Sequence, residues 1–160
     1  MKKVFFAGLL LFLSVVSFAQ QPADKIIGQW ESIDGDVKLK FDLFKQDGKY
    51  FGKLLWASNM FETDGKTSKK DSNNPDKSLQ NRPRQGIINV TNLKYDDGEY
   101  EGGKLYNPSD GNSYSLNAKL KTENELHFRG YLGVSLLGKT VKIKNLSYLS
   151  NKEEASILNY

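Results

Sequence analysis

Residues 37–56 read VKLKFDLFKQDGKYFGKLLW, and this stretch decides the fold of the chain. Apolar and polar side chains alternate on both sides of Asp47-Gly48, which is the pattern of strands with one buried face. An Asp-Gly pair between two such runs is typical of a tight hairpin turn. The stretch therefore predicts a β-hairpin. Its apolar face comprises Val37, Leu39, Phe41 and Leu43 before the turn and Tyr50, Gly52, Leu54 and Trp56 after it.

The same alternation recurs along the chain between turns rich in Gly, Asn and Asp. Including a short strand around Trp30, it predicts about eight strands and no helix between them. Strands joined by tight turns form an antiparallel meander, and closing it removes the exposed sheet edges. We expect an all-β antiparallel barrel, which can be filled by side chains or hold one small ligand. A β-sandwich is the alternative. Further strands are predicted at 86–93, 100–106, 113–120, 126–132 and 140–144.

The amino terminus has the pattern of a signal peptide. Lys2 and Lys3 precede an apolar run over 4–16, and Ser17-Phe18-Ala19 places small residues before a cleavage site. The run is shorter than the roughly 20 residues of a membrane-spanning helix. We therefore expect residues 1–19 to be removed and the mature protein, which has no transmembrane segment, to be periplasmic or secreted. Residues 20–150 then form one barrel domain, and 151–160 form a polar tail.

Composition excludes several classes of function. The chain has no cysteine, so disulfides, thiolate zinc sites and cysteine nucleophiles are absent. Its net charge is +4, from 23 basic and 19 acidic residues, and loss of Lys2 and Lys3 leaves 21 basic residues and a charge of +2. Because this charge is small and its lysines are dispersed, nucleic-acid binding is not expected.

Catalytic and metal-binding residues are scarce. His127 is the single histidine, and strand alternation places it on the solvent side without a nucleophile partner. Asp64, Asp71 and Asp76 share a long polar segment, but their spacing does not match a calcium-binding loop. The sequence therefore predicts no catalytic residues, no metal and no cofactor. A hydrolase or lyase would require a cluster of Arg82, Asp76 and His127.

Six short motifs identify a family resemblance. They are Gly28-x-Trp30; Asp47-Gly48-Lys49-Tyr50-x-Gly52-Lys53-Leu54; Asp71-x-x-Asn74-Pro75-Asp76; Arg82-Pro83-x-x-Gly86; Tyr100-Glu101-Gly102-Gly103-Lys104-Leu105-Tyr106-Asn107-Pro108-x-Asp110-Gly111-x-x-Tyr114; and Arg129-Gly130-Tyr131-x-Gly133. In this order they resemble domain-of-unknown-function family 2147, which consists of small exported bacterial proteins. The resemblance implies a lipocalin-like barrel and brings no established activity.

The first motif resembles the opening of lipocalin-like barrels, where the indole closes the barrel floor beneath a cation from the last strand. In this chain Trp30 would be the indole, and Lys142 and Lys144 are the candidate cations. The family pattern ends with Trp followed by Arg. Residues 140–144 depart from it, since they contain no Trp and have Lys in place of Arg.

The leading functional hypothesis is a non-enzymatic protein that holds a small hydrophobic or amphipathic ligand in the barrel. Arg129 would orient an anionic group of the ligand if its face points inward. The parity of its strand favours an outward direction, which a bulge near Gly130 would reverse. The predicted ligand-binding residues are Trp56, Tyr106, Tyr114, Arg129 and Tyr131.

The alternative hypothesis is an envelope protein that acts through the polar segment 57–85. Segments of this length without strand or helix patterns are uncommon within a compact domain and are often functional. The segment has too few apolar residues to be core, so it would be a contact surface.

Overall fold

The computed structural model describes residues 22–157, so the predicted signal peptide lies outside the described residues. Eight strands pair in sequence order, each antiparallel to the next, and the last pairs with the first to close the barrel. The predicted all-β meander and its closure are thus confirmed. The strands are β1 (Gly28–Ser32), β2 (Leu39–Gln46), β3 (Lys49–Ala57), β4 (Ile88–Asp96), β5 (Glu99–Asn107), β6 (Asn112–Thr122), β7 (Glu125–Tyr131) and β8 (Lys139–Asn145).

Short helical segments flank the strands. One α-helix, α1 (Leu146–Ile157), follows β8 and begins where Asn145 Oδ1 accepts a hydrogen bond from the Ser147 N–H at 3.0 Å. This bond satisfies one of the unpaired donors at the start of a helix. Residues 151–157 of the predicted polar tail therefore form the second half of this helix. No helix within residues 22–157 is both long and apolar enough to cross a membrane. The 3₁₀ segments are Pro22–Ile26, Lys77–Leu79 and Ser135–Leu137.

The hairpin of residues 37–56 forms around the predicted turn. Asp47 and Gly48 both have positive φ, 48° and 73°, as a two-residue turn between twisted strands requires. Gly52 faces Leu43 across the ladder, and a Cβ at this position would lie 2.9 Å from side-chain carbons of Leu43 and Val90. Glycine therefore lets the wall coil tightly between β2 and β4.

The floor of the barrel is built around Trp30, which is completely buried. Its indole Nε1 donates a hydrogen bond of 2.9 Å to the carbonyl of Ile26, at the end of the first 3₁₀ segment. That segment closes the same end of the barrel. Among the described residues no Lys or Arg lies over the Trp30 ring. Lys142 and Lys144 flank the buried Ile143 and point outward. The prediction that one of these lysines lies over the Trp30 indole is therefore wrong.

Two tyrosine hydroxyls fasten the 3₁₀ segment to the strands. Tyr50 donates to Asp24 Oδ1 at 2.6 Å, and Tyr100 donates to the carbonyl of Ala23 at 2.8 Å. The two rings meet edge to face with their centroids 5.3 Å apart. Burial raises the pKa of both hydroxyls above their ordinary value near 10, and the bond to Asp24 adds to the rise at Tyr50.

We expect the stability of the barrel to fall as pH rises above about 10. In the unfolded chain Tyr50 and Tyr100 lose their protons near that pH, whereas in the folded barrel they keep them, so ionisation favours unfolding. Urea denaturation between pH 8.5 and 11.5 measures the decline. The double variant Tyr50→Phe, Tyr100→Phe retains every lysine and should show a shallower decline. If the free energy of unfolding fell equally steeply with pH in both proteins, these two hydroxyls would not be the cause of the decline.

Candidate functional site

A cavity of about 640 Å³ opens at the end of the barrel opposite Trp30. This volume lies within the range of small-molecule sites, roughly 300–1,000 Å³. The connection between β3 and β4 borders the mouth on one side, and exposed Leu132 and Leu137 border it on another. The walls are mainly apolar. Their inward side chains include Leu39, Phe41, Leu54, Leu116, Phe128 and Val141.

Three of the five predicted ligand-binding residues line this cavity. Tyr106 and Tyr114 stand on β5 and β6, and Tyr131 ends β7. Trp56 and Arg129 do not line it. The structure thus brings the three tyrosines together and separates them from the other two.

A bulge in β3 explains the position of Trp56. Lys40 faces Trp56 across the ladder, but Phe41 faces Leu54, so one residue of β3 has no partner. Such an insertion reverses the alternation of side chains. The prediction that Trp56 shares the inward face of Leu54 is therefore wrong. The ring lies beside Lys40, whose Nζ is 6.0 Å from its centroid.

Arg129 points outward, as strand parity favoured. The register of β7 with both neighbouring strands is continuous through Gly130, so no bulge turns the side chain inward. The guanidinium donates hydrogen bonds to Thr140 Oγ1 at 3.1 Å and to the carbonyl of Leu136 at 3.3 Å. These contacts join β7 to β8 outside the cavity.

The connection between β3 and β4 is organised around Asp71, which is completely buried. Arg82 Nε and Nη2 donate to Asp71 Oδ2 at 3.0 and 2.9 Å, and Asn74 Nδ2 donates to the same oxygen at 2.8 Å. The hydroxyl of Tyr106 donates to Asp71 Oδ1 at 2.6 Å. Burial and this bond raise the pKa of Tyr106 to about 12. The cluster therefore attaches the connection to the cavity wall.

The interpretation of segment 57–85 as purely surface is wrong. Met60 and Asp71 are as buried as the barrel core, and Met60 lines the cavity. Backbone bonds from Asp71 N to Arg82 O and from Arg84 N to Lys69 O pair the two halves of the segment. Polar groups can be buried when each finds a partner, so composition alone misjudged this segment.

Sequence reasoning missed the two buried polar residues of the cavity wall, Arg84 and Asn89. Arg84 is only 9% exposed, and its Nε donates to the carbonyl of Lys70 at 3.0 Å. Asn89 is 4% exposed, and its Nδ2 donates to the carbonyl of Tyr106 at 3.3 Å. Among the described residues Asn89 Oδ1 has no hydrogen-bond partner.

A second irregularity places Asn89 in the wall. Gly52 faces Val90 and the next residue, Lys53, faces Ile88, so Asn89 has no partner on β3. Asn89 and Val90 are consequently both buried, whereas Ile88 is 47% exposed. Strict alternation within the strand predicted at 86–93 would place Ile88 and Val90 on one face, and this irregularity places them on different faces. No local sequence signal marks Asn89, and Arg84 occupies an unspecified position of the Arg82-Pro83-x-x-Gly86 motif.

The residues named for hydrolase or lyase chemistry are engaged elsewhere. His127 Nε2 lies 2.7 Å from Glu125 Oε1 on the outer face of β7, and Arg82 pairs with Asp71. Within residues 22–157 no three His, Asp or Glu side chains are arranged to hold a metal ion.

Comparison with known proteins agrees with this geometry. The model of a family described as "Uncharacterized protein conserved in bacteria (DUF2147)" matches residues 28–145. A solved structure described as protein HP1028 from the human pathogen Helicobacter pylori, which belongs to the lipocalin family, superposes with a TM-score of 0.67 and 27% sequence identity. The match covers 79% of this chain and 86% of the other. No curated protein sequence matches this chain significantly.

Proposed function

This chain belongs to DUF2147, a family of uncharacterised bacterial proteins. From the geometry of its cavity we propose that the barrel binds a small, partly apolar ligand. The observation that carries the proposal is the apolar space of about 640 Å³ above a closed floor. Side chains around an empty apolar space lack contact partners on one side, and a ligand would supply them. The pattern of residues 1–19 supports binding outside the cytoplasm, which is part of the same proposal.

The segment 57–85 belongs to this binding site in our proposal. Asn59, Met60 and Arg84 contribute to the cavity wall, and the Asp71 cluster fixes the segment against β5. Its order and burial are therefore accounted for by a role in the cavity. We favour this role over the alternative of a separate contact surface for another envelope protein.

Narrowing the cavity should weaken binding of a small apolar ligand. The neutral probe N-phenyl-1-naphthylamine should fluoresce more strongly with the wild-type protein, since its emission rises in apolar surroundings. Val141 points into the cavity from β8, so Val141→Trp should weaken probe binding about tenfold or more. Titration at constant protein concentration measures this change.

Lys142→Trp is the matched control because Lys142 is the next residue of β8 and points outward. It adds the same indole without entering the cavity, and its affinity for the probe should equal that of the wild type. Circular dichroism checks that both variants are folded. Absence of probe binding to the wild type, or equal weakening in both variants, would contradict the proposal.

A further inference from the structure

We propose that Arg84 binds an anionic head group, so the ligand of the cavity is a single-chain amphiphile with a carboxylate or phosphate at one end. This inference rests on the proposed function and names the chemical class of its ligand. It depends on the charge, burial and hydrogen bonding of Arg84 and on the orphaned oxygen of Asn89.

Arg84 places a positive charge in the cavity wall. A guanidinium remains protonated in proteins and offers five N–H donors. Its side chain is nine-tenths buried, and Nε donates to a neutral carbonyl, that of Lys70. Across residues 22–157 no acidic side chain forms an ion pair with Arg84, and neither Nη1 nor Nη2 donates a hydrogen bond. A buried charge without a counter-ion is costly, and an anion in the cavity would remove that cost.

The neighbouring acidic residue does not supply this counter-ion. Asp71 is the buried carboxylate of the same connection, but Arg82 and Asn74 occupy its Oδ2 and Tyr106 occupies its Oδ1. The connection thus contains two buried or partly buried guanidiniums and one buried carboxylate. The positive charge left over belongs to Arg84, at the cavity wall.

Asn89 gives a second, independent indication of a polar group in the cavity. Its Nδ2 bond to the Tyr106 carbonyl fixes the orientation of the amide, and Oδ1 is left buried with no donor from the described part of the chain. Buried acceptors are satisfied in most native structures, so an orphaned one at a cavity wall indicates a missing donor. A hydroxyl or amide N–H beside the anionic group of the ligand would satisfy it.

The remaining walls define the other end of the ligand. Arg84 belongs to the connection at the mouth, whereas Phe41, Leu116 and Phe128 lie on the strands and line the cavity below it. Below these residues the barrel is closed by Trp30. The ligand would therefore place its head group near the mouth and its hydrocarbon chain toward the floor.

Binding of three probes with the same chain tests this inference in the wild-type protein. Dodecanoate and dodecyl phosphate are anionic, and dodecanol is neutral. At pH 8 we expect at least one of the two anions to bind more tightly than dodecanol, by a factor of about ten or more. The reason is that a charge-assisted hydrogen bond in a buried site is stronger than a neutral one. The tighter of the two anions identifies the head group. Isothermal titration calorimetry below the critical micelle concentrations measures the affinities.

Two variants assign the preference to Arg84. Arg84→Gln should lose the preference for anions over dodecanol, whereas Arg84→Lys should retain part of it. Lys142→Gln removes the same charge from the outer face and should leave all affinities unchanged.

The outcomes separate the two proposals. Equal binding of dodecanol and both anions to the wild type, or an unchanged preference in Arg84→Gln, would overturn the role of Arg84 and leave the proposed function standing. Failure of dodecanol, both anions and the neutral naphthylamine probe to bind would overturn both proposals. The wild-type comparison gives this answer even if Arg84→Gln does not fold.

Discussion

Replacing Trp30 with alanine is expected to lower the free energy of unfolding by about 3–5 kcal/mol. The indole is completely buried at the floor, so its removal leaves a cavity as well as losing apolar burial. It also leaves the carbonyl of Ile26 without the donor at 2.9 Å. Urea denaturation at pH 7 measures the loss.

Two further variants show where this free energy comes from. Trp30→Phe restores part of the volume but not the N–H donor, so it should lie between the wild type and Trp30→Ala. Trp56→Ala removes the other tryptophan, which is only partly buried, and should cost about 1–2 kcal/mol. If Trp30→Ala and Trp56→Ala lowered the free energy of unfolding equally, the buried floor would not contribute more to stability than the partly buried Trp56.

The barrel could be predicted because its signals are local. At Asp47-Gly48 and Asp97-Gly98 the residue types determine the turn, and all four residues have the positive φ that tight hairpins use. Regular strands such as β2 and β7 bury alternate side chains over most of their length, so the alternation in their sequences reports directly on the wall. Closure could be predicted because an open sheet would leave an unpaired strand exposed at each edge, and a meander of about eight strands removes both edges by closing.

The site was predicted less completely because two irregularities reverse this alternation. Trp56 follows a residue of β3 with no partner on β2, and Asn89 has no partner on β3. Each irregularity depends on the packing of neighbouring strands, which local sequence does not encode. As a result, the Trp56 ring lies outside the cavity and the Asn89 side chain lies in its wall.

The burial of Arg84 was not predictable for a different reason. Its segment is polar, and polar composition normally indicates exposure. Here the segment folds onto itself through backbone bonds between 69–71 and 82–84, and the partners that permit burial are distant in sequence. Tyr106 Oη, which reaches Asp71 from β5, joins residues that are 35 positions apart in the sequence.

The same segment carries the second large effect: Asp71→Ala should lower the free energy of unfolding by about 3 kcal/mol or more. The substitution leaves Arg82, Asn74 and Tyr106 without the carboxylate that they share. Losing one partner of a buried ion pair is costly because the other charge stays behind. Arg82 is one-third exposed, so water offsets part of the cost. Urea denaturation again gives the value.

Matched variants separate the carboxylate from the segment in general. Glu62→Ala removes an exposed carboxylate from the same connection and should change the free energy of unfolding by no more than about 0.5 kcal/mol. Tyr106→Phe removes only the hydroxyl that reaches Asp71 Oδ1 and should cost about 1–2 kcal/mol. A loss in Asp71→Ala no larger than that in Glu62→Ala would mean that the buried cluster does not stabilise the fold.

The stability lost in Asp71→Ala should fall on the connection between β3 and β4, which borders the cavity, rather than on the strands. The hydrogen bonds of the barrel strands do not pass through Asp71, whereas the bonds from Asp71 N to Arg82 O and from Arg84 N to Lys69 O hold the connection closed. Amide exchange in Asp71→Ala should therefore accelerate first at the amides of positions 71 and 84, before the strand amides. Since Arg84 belongs to the cavity wall, the same opening should weaken dodecanoate more than dodecanol. Uniform acceleration across strands and connection would show instead that Asp71 stabilises the barrel as a whole.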